Sequence, residues 1–168
     1  MRRIGFILTV LLATTAGVTS ANMDESVHAA YASQCRAIED GSWKDFEQSL
    51  SPSYVGRNLD GPNDSQSSEA KSLRQMKQTF GISRCEVDIR SYESQDAIGS
   101  VVDVTFTLQG VAPSEIGTHI KKGDSIEFRF HSIDTWVRDG GRLLQSRAET
   151  KGVHVLVNDA VLSSRGTF

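Results

Sequence analysis

The sequence has only two cysteines, few aromatic residues and, after its first twenty or so positions, no long apolar run. Each shortage excludes something. Cys35 and Cys85 alone cannot build a disulfide-dense miniature scaffold or a cysteine zinc site. Without a later run near the ~20 apolar residues that a spanning helix needs, no mature segment is expected to cross a membrane. Basic residues are not in excess and the charges are scattered, so neither nucleic acid nor an anionic membrane has a footprint to bind. No P-loop, dinucleotide fingerprint or nucleophile elbow occurs, and no cofactor is expected. His28, His119, His131 and His154 are too dispersed for metal-ligand spacing with each other or with the cysteines, so no metal is expected either.

The N-terminus reads as a secretory leader over residues 1–21: Arg2 and Arg3, the apolar run from Ile4 to Ala13, then small residues closing at Val18-Thr19-Ser20-Ala21. The alternative, a membrane anchor, is disfavoured by the shortness of the run. Removing Arg2 and Arg3 from the 18 basic residues leaves 16 against 21 acidic ones, a formal charge of −5 on residues 22–168, which are expected to form one domain. Export to the periplasm or beyond makes a Cys35–Cys85 disulfide the leading expectation, with two separate buried thiols as the alternative.

The first half of the chain has helical spacing. Val27, Tyr31, Cys35 and Ile38 share one face, with Asp24 as expected cap and Gly41 as stop. Trp43, Phe46 and Leu50 share another, opened by Ser42 with Asp45 three residues on and ended by Pro52. Tyr54 to Gly61 has no clear period and reads as a loop or a short irregular strand. Ala70, Leu73, Met76 and Phe80 mark a third helix before Gly81.

From Ile82 the period becomes two. Cys85, Val87 and Ile89 alternate with polar residues, as do Val102, Val104, Phe106 and Leu108. Two further alternating runs, Ile126 to Val137 and Arg142 to Thr150, meet at Asp139-Gly140-Gly141, a strong hairpin signal. An extension through Val157 completes the sheet, and Asn158 to Phe168 looks frayed or edge-like. Helices first and strands afterwards give an α+β layer packing, three N-terminal helices on a curved antiparallel sheet.

The segments Ala37-Ile38-Glu39-Asp40-Gly41-Ser42-Trp43-Lys44-Asp45-Phe46 and Asp134-Thr135-Trp136-Val137-Arg138-Asp139-Gly140-Gly141-Arg142-Leu143, in that order of elements, resemble the nuclear-transport-factor-2-like (NTF2-like, or SnoaL-like) superfamily. The resemblance implies a cone enclosing a pocket, and often a homodimer built on the outer sheet face. It covers cofactor-free isomerases, dehydratases and hydrolases as well as binding domains, and no member's catalytic set maps onto this chain, so it does not give function.

For the pocket, Ser132 and Asp134 share strand parity with Ile126, Phe128 and Phe130, the residues expected to point inward. The alternative is a β-bulge near Ser132 that reverses parity and leaves Asp134 in solvent. Tyr54 sits where the chain can close the cone. Trp136 shares the inward parity and is placed with these residues, although Trp43 and Trp136 read as core first and ligand walls second. His131, of opposite parity, is expected to face outward, and Asp103, Arg147 and Glu149 to form a cross-strand charge set on the outer face. The leading reading is an exported domain that binds a small apolar molecule, or acts as an interaction module, without turnover. One rival is a cofactor-free isomerase, dehydratase or hydrolase with Asp134 as base and Tyr54 as helper. The other is an inhibitor or immunity-type partner of another exported protein.

Overall fold

The computed structural model describes residues 20–95 and 99–168. The leader expected over residues 1–21 lies outside them, but for its last two residues. Helix α1 (Ser20–Asp40) is followed by α2 (Trp43–Ser49), strand β1 (Leu50–Arg57), helix α3 (Gln66–Phe80) and strands β2 (Ile82–Gln95), β3 (Gly99–Val111), β4 (Ser125–Asp139), β5 (Arg142–Val157) and β6 (Ala160–Gly166). The strands form one curved, unclosed sheet in the order β1-β5-β4-β3-β2, with β6 also on β5. The helices cover its concave face, which makes the α+β packing expected from the order of elements and the cone that the resemblance implies.

Three helix expectations need correction, the first being that α2 ends at Ser49, so that Leu50 and Pro52, read as its last face residue and its stop, belong to β1. Helix α1 runs through Asp24, which is therefore no cap. Ser42 opens α2 without a side-chain capping bond. A capping box forms instead at α3, where Ser65 and Ser68 exchange hydrogen bonds, while Gly81 closes the same helix in the left-handed conformation at φ 64°.

The sheet is mixed rather than wholly antiparallel, because β1 pairs parallel with β5. Of the segment read as a loop or short irregular strand, Tyr54 to Gly61, the part as far as Arg57 is the end of β1 and the rest is irregular. Pro52 and the serines around it hide the strand's period, and its register shifts between Leu50 and Val55. The hairpin between β4 and β5 matches its signal: Asp139 pairs Arg142 across Gly140 and Gly141, which have φ of 55° and 80°.

The two bulges that shape the pocket lie on β5, not on β4. Opposite His131–Ser132 the extra residue is Lys151, and opposite Thr135–Trp136 it is Ser146. Strand β4 keeps unbroken register with β3 throughout. Its parity therefore survives, while each bulge flips that of β5 and brings Gln145, Ala148, Thr150, Val153 and Val155 all to the concave side.

A disulfide joins Cys35 on α1 to Cys85 on β2, with Cα atoms 5.1 Å apart. Around it Glu39 accepts from the Cys85 amide at 2.8 Å, and Lys77 of α3 donates to the carbonyls of Glu39 and Ile82. These bonds fix α1 and α3 against the sheet margin, and with them the helical wall of the cone.

On the convex face His131 is not open to solvent. Its Nδ1 meets the Thr167 carbonyl at 2.8 Å and its Nε2 meets Asp103 at 3.0 Å, so only 9% of the residue is exposed. The tail is held there by the Thr167 amide on the Lys151 carbonyl and by Phe168 stacked on His154 at 3.7 Å. Asp103 is thus committed to His131, and Glu149 pairs with Arg147 and Lys151 instead of forming the three-member set.

Candidate functional site

Between the helices and the concave sheet lies a cavity of about 580 Å³. Phe106 and Phe130 line it without filling it, and Leu73 and Met76 supply apolar wall from α3. Polar side chains line it too, among them the carboxyl groups of Asp60, Asp64, Glu69 and Asp134, of which Asp134 and Glu69 are the two raised by burial.

Asp134 is the inner one, on β4, with 3% of its surface exposed. Its Oδ2 accepts from the Tyr31 hydroxyl at 2.7 Å and from Gln145 Nε2 at 2.8 Å, and its Oδ1 from the Ser132 hydroxyl at 2.8 Å. Gln34 of α1 orients the second donor: its Nε2 donates to Gln145 Oε1 at 2.9 Å, which turns the Gln145 amide nitrogen toward Asp134. Burial raises the Asp134 carboxyl to about 6, although the Tyr31 and Ser132 hydrogen bonds act the other way. Tyr31 is pushed well above the ordinary tyrosine value, first by its own burial and then by the Asp134 charge.

Glu69 is the second carboxylate, half-buried in the first turn of α3. Burial, then the charges of Asp64 and Asp134, raise it to about 7, against a lowering hydrogen bond from Tyr54. The Asp134 charge is thus one of the causes that keep the Glu69 proton in place. Tyr54 is itself raised, by burial and then by Glu69. The close approach needs Gly56: a Cβ there would lie 3.0 Å from Glu69 Oε2 and 3.1 Å from the Tyr54 hydroxyl.

Of the residues proposed from sequence, Tyr54, Ser132 and Asp134 line this cavity together. Trp136 does not. It is fully buried, edge-on to Tyr31 at a centroid distance of 4.9 Å, and packs with Val27, Val102 and Val104 behind the polar cluster. The parity is right, but this end of β4 is roofed by α1, so the indole supports Tyr31 instead of meeting the cavity.

Sequence reasoning missed Gln34, Glu69 and Gln145, and it placed Tyr31 only in the core. Two of these carried a signal. Glu69 precedes Ser72, Leu73 and Met76 by three, four and seven residues, and all four line the cavity, so it belongs to the inward stripe of α3. Gln34 follows Tyr31 by three and Val27 by seven. Gln145 carried none, because the Ser146 bulge breaks the alternation that would have placed it.

No protein-family model matches the sequence, and no curated protein sequence matches it. Solved structures do resemble the fold. A conserved protein from Planctomyces limnophilus is 10% identical with a TM-score of 0.65, covering 80% of this chain and 96% of its own. A candidate scytalone dehydratase from Novosphingobium aromaticivorans is 8% identical with a TM-score of 0.61, covering 86% and 87%. A candidate polyketide cyclase from Xanthomonas campestris is 15% identical with a TM-score of 0.52, covering 75% and 89%. At such identities the likeness concerns the fold alone, and that fold is the NTF2-like, SnoaL-like cone.

Proposed function

We propose that this chain is an exported, cofactor-independent acid–base catalyst acting on a small, mostly apolar carbonyl compound, with Asp134 as the group that removes and returns a proton. The observation that carries this reading is a buried carboxyl, raised to about 6, lining a largely apolar cavity. Near neutral pH it is ionised, yet it is a stronger base than a solvated aspartate. Oδ2 is occupied by two donors and Oδ1 by one, so Oδ1 is the oxygen with room to take a proton.

Proton removal next to a carbonyl would turn the C–H pair into a C=C bond and move the C=O π pair onto oxygen. Tyr54, on the same cavity, is the candidate donor to that oxygen once its one hydroxyl proton turns from Glu69, which it hydrogen-bonds in the free protein. Two structural neighbours bear the names of a dehydratase and a cyclase, which supports such chemistry on this fold. Export is supported by the leader-like N-terminus and by the disulfide. Among the described residues no helix is long and apolar enough to cross a membrane.

A second reading, binding without turnover, is favoured by the three donors already on Asp134. One experiment separates the two: deuterium incorporation from D2O into a panel of cyclic ketones and enones, followed by proton NMR. Catalysis predicts exchange with the wild type and none with Asp134→Asn. Saturable binding of a ketone without exchange would leave only the binding reading. The interaction-module alternative finds less support, since the exposed large apolar side chains are divided among Val55 and Leu59, Val111 at the end of β3, and Val161, Leu162 and Phe168 near the C-terminus.

A further inference from the structure

Glu69 is not needed for the proton transfer just described, yet it lines the same cavity from the helical wall. Tyr54 hydrogen-bonds it and Gly56 leaves it space. We propose that Glu69, held by Tyr54, sets the ligand specificity of the cavity: protonated, it donates a hydrogen bond to an acceptor oxygen of a neutral ligand, and ionised, it no longer does so and repels anionic ligands. This deepens the reading above and rests on it, since it assumes that the cavity takes a small ligand.

The charge inventory around the cavity points the same way. The titratable groups acting on Glu69 are Tyr54 from β1, Asp64 from the segment before α3 and Asp134 from β4, while Tyr31 from α1 lines the same cavity beside Asp134. Asp60 and Arg165 also line the cavity, but they pair with each other at 3.1 Å on exposed side chains. Among the described residues Arg165 is the one cationic side chain of the lining, at its exposed rim and paired with Asp60, while Asp64, Glu69 and Asp134 lie further along the same lining, a balance that disfavours a ligand carboxylate or phosphate. A neutral ligand oxygen, by contrast, gains a donor whenever Glu69 holds its proton. Asp64 and Asp134 both favour that state by repelling the Glu69 charge.

The test uses the neutral fluorescent ketone 6-propionyl-2-(dimethylamino)naphthalene and the matching naphthoate, titrated into the protein from pH 6 to pH 8.5, with wild type, Glu69→Gln and Asp134→Asn compared after thermal melts establish folding. If only the protonated form binds, ketone affinity falls about thirtyfold across that range in the wild type. The proposal expects Glu69→Gln to remove the fall, because an amide always donates, and to weaken the exclusion of the naphthoate above pH 7 without abolishing it, since Asp64 and Asp134 keep their charges. Asp134→Asn is expected to keep the fall but move its midpoint to lower pH. An unchanged pH profile in Glu69→Gln overturns the proposal.

If neither probe binds wild type or variants, the ligand-site reading fails, and a carbon-13 titration of the carboxyl groups in the free protein decides the role of Glu69. Titration near 7, falling in Asp134→Asn, upholds the Glu69 protonation on which the proposal depends. Titration at the ordinary glutamate value overturns it.

Discussion

Replacing Asp134 with asparagine should make the protein more stable at pH 8 and leave its stability nearly unchanged at pH 4. Burial raises this carboxyl from 3.8 to about 6 in the folded state. Between those values the native protein still holds the proton that the unfolded chain has released. The native state therefore binds more protons than the unfolded one, and stability falls as pH rises through this window. The gap corresponds to roughly 3 kcal/mol, fully lost above about pH 6. The asparagine avoids that penalty and can keep the network. Its oxygen accepts from Tyr31 and Gln145 where Oδ2 did, and its NH2 faces Ser132, whose hydroxyl turns from donor to acceptor. For a chain of this length the gain at pH 8 should raise the melting temperature by roughly 6–12 °C. Thermal melts of both proteins at pH 4, 6 and 8 measure it, alongside loss of deuterium exchange into ketones. If the variant is destabilised by the same amount at every pH, the ionised carboxylate is a net support of the fold and the argument from burial is wrong.

Tyr31→Phe should act in the opposite sense. It removes a donor to the buried carboxylate at a cost of roughly 1.5–3 kcal/mol above pH 6 and less at pH 4.5, so a pH-independent loss in thermal melts would refute the assignment. Removing the Cys35–Cys85 bond, by reduction or by serine at both positions, opens a loop with a sequence separation of 50 and should cost about 4 kcal/mol, seen as a melting temperature lower by on the order of 10 °C. Gly152→Ala would place a Cβ 2.3 Å from the Thr167 carbonyl, so the C-terminal tail should detach. The expected result is loss of amide-exchange protection at Thr167 with roughly 1–3 kcal/mol of destabilisation, and retained protection would show that the tail shifts without releasing.

Much of the cone was legible because it is written in two periods. The faces of α1 and α3 and the alternation of β3 and β4 follow the side chains that end up buried, and the turn at Gly140-Gly141 carried its own chemistry. Strand β1 was not legible, since a parallel edge strand with a proline and a register shift needs its partner β5 to exist at all. The covering of His131 was equally invisible: it depends on a tail thirty-six residues away that lies back over the sheet.

The candidate site divides along the same physical line. Asp134 and Ser132 could be placed on the inward face because β4 keeps one parity over its whole length. That parity survives because the extra residues needed to curve the sheet, Ser146 and Lys151, were taken up by the neighbouring strand. On β5 the same bulges destroy the alternation, and the residue they hide is Gln145, the donor that with Tyr31 saturates Asp134 Oδ2. One local device thus does two things. It bends the sheet enough to enclose the cavity, and it hides from the alternation an amide that meets a carboxylate on the adjoining strand. A variant lacking Ser146 would restore the alternation at this end of β5 and leave Gln145 opposite Trp136 on the inward face, so it should flatten the sheet beside the cavity while keeping the Gln145 bond to Asp134.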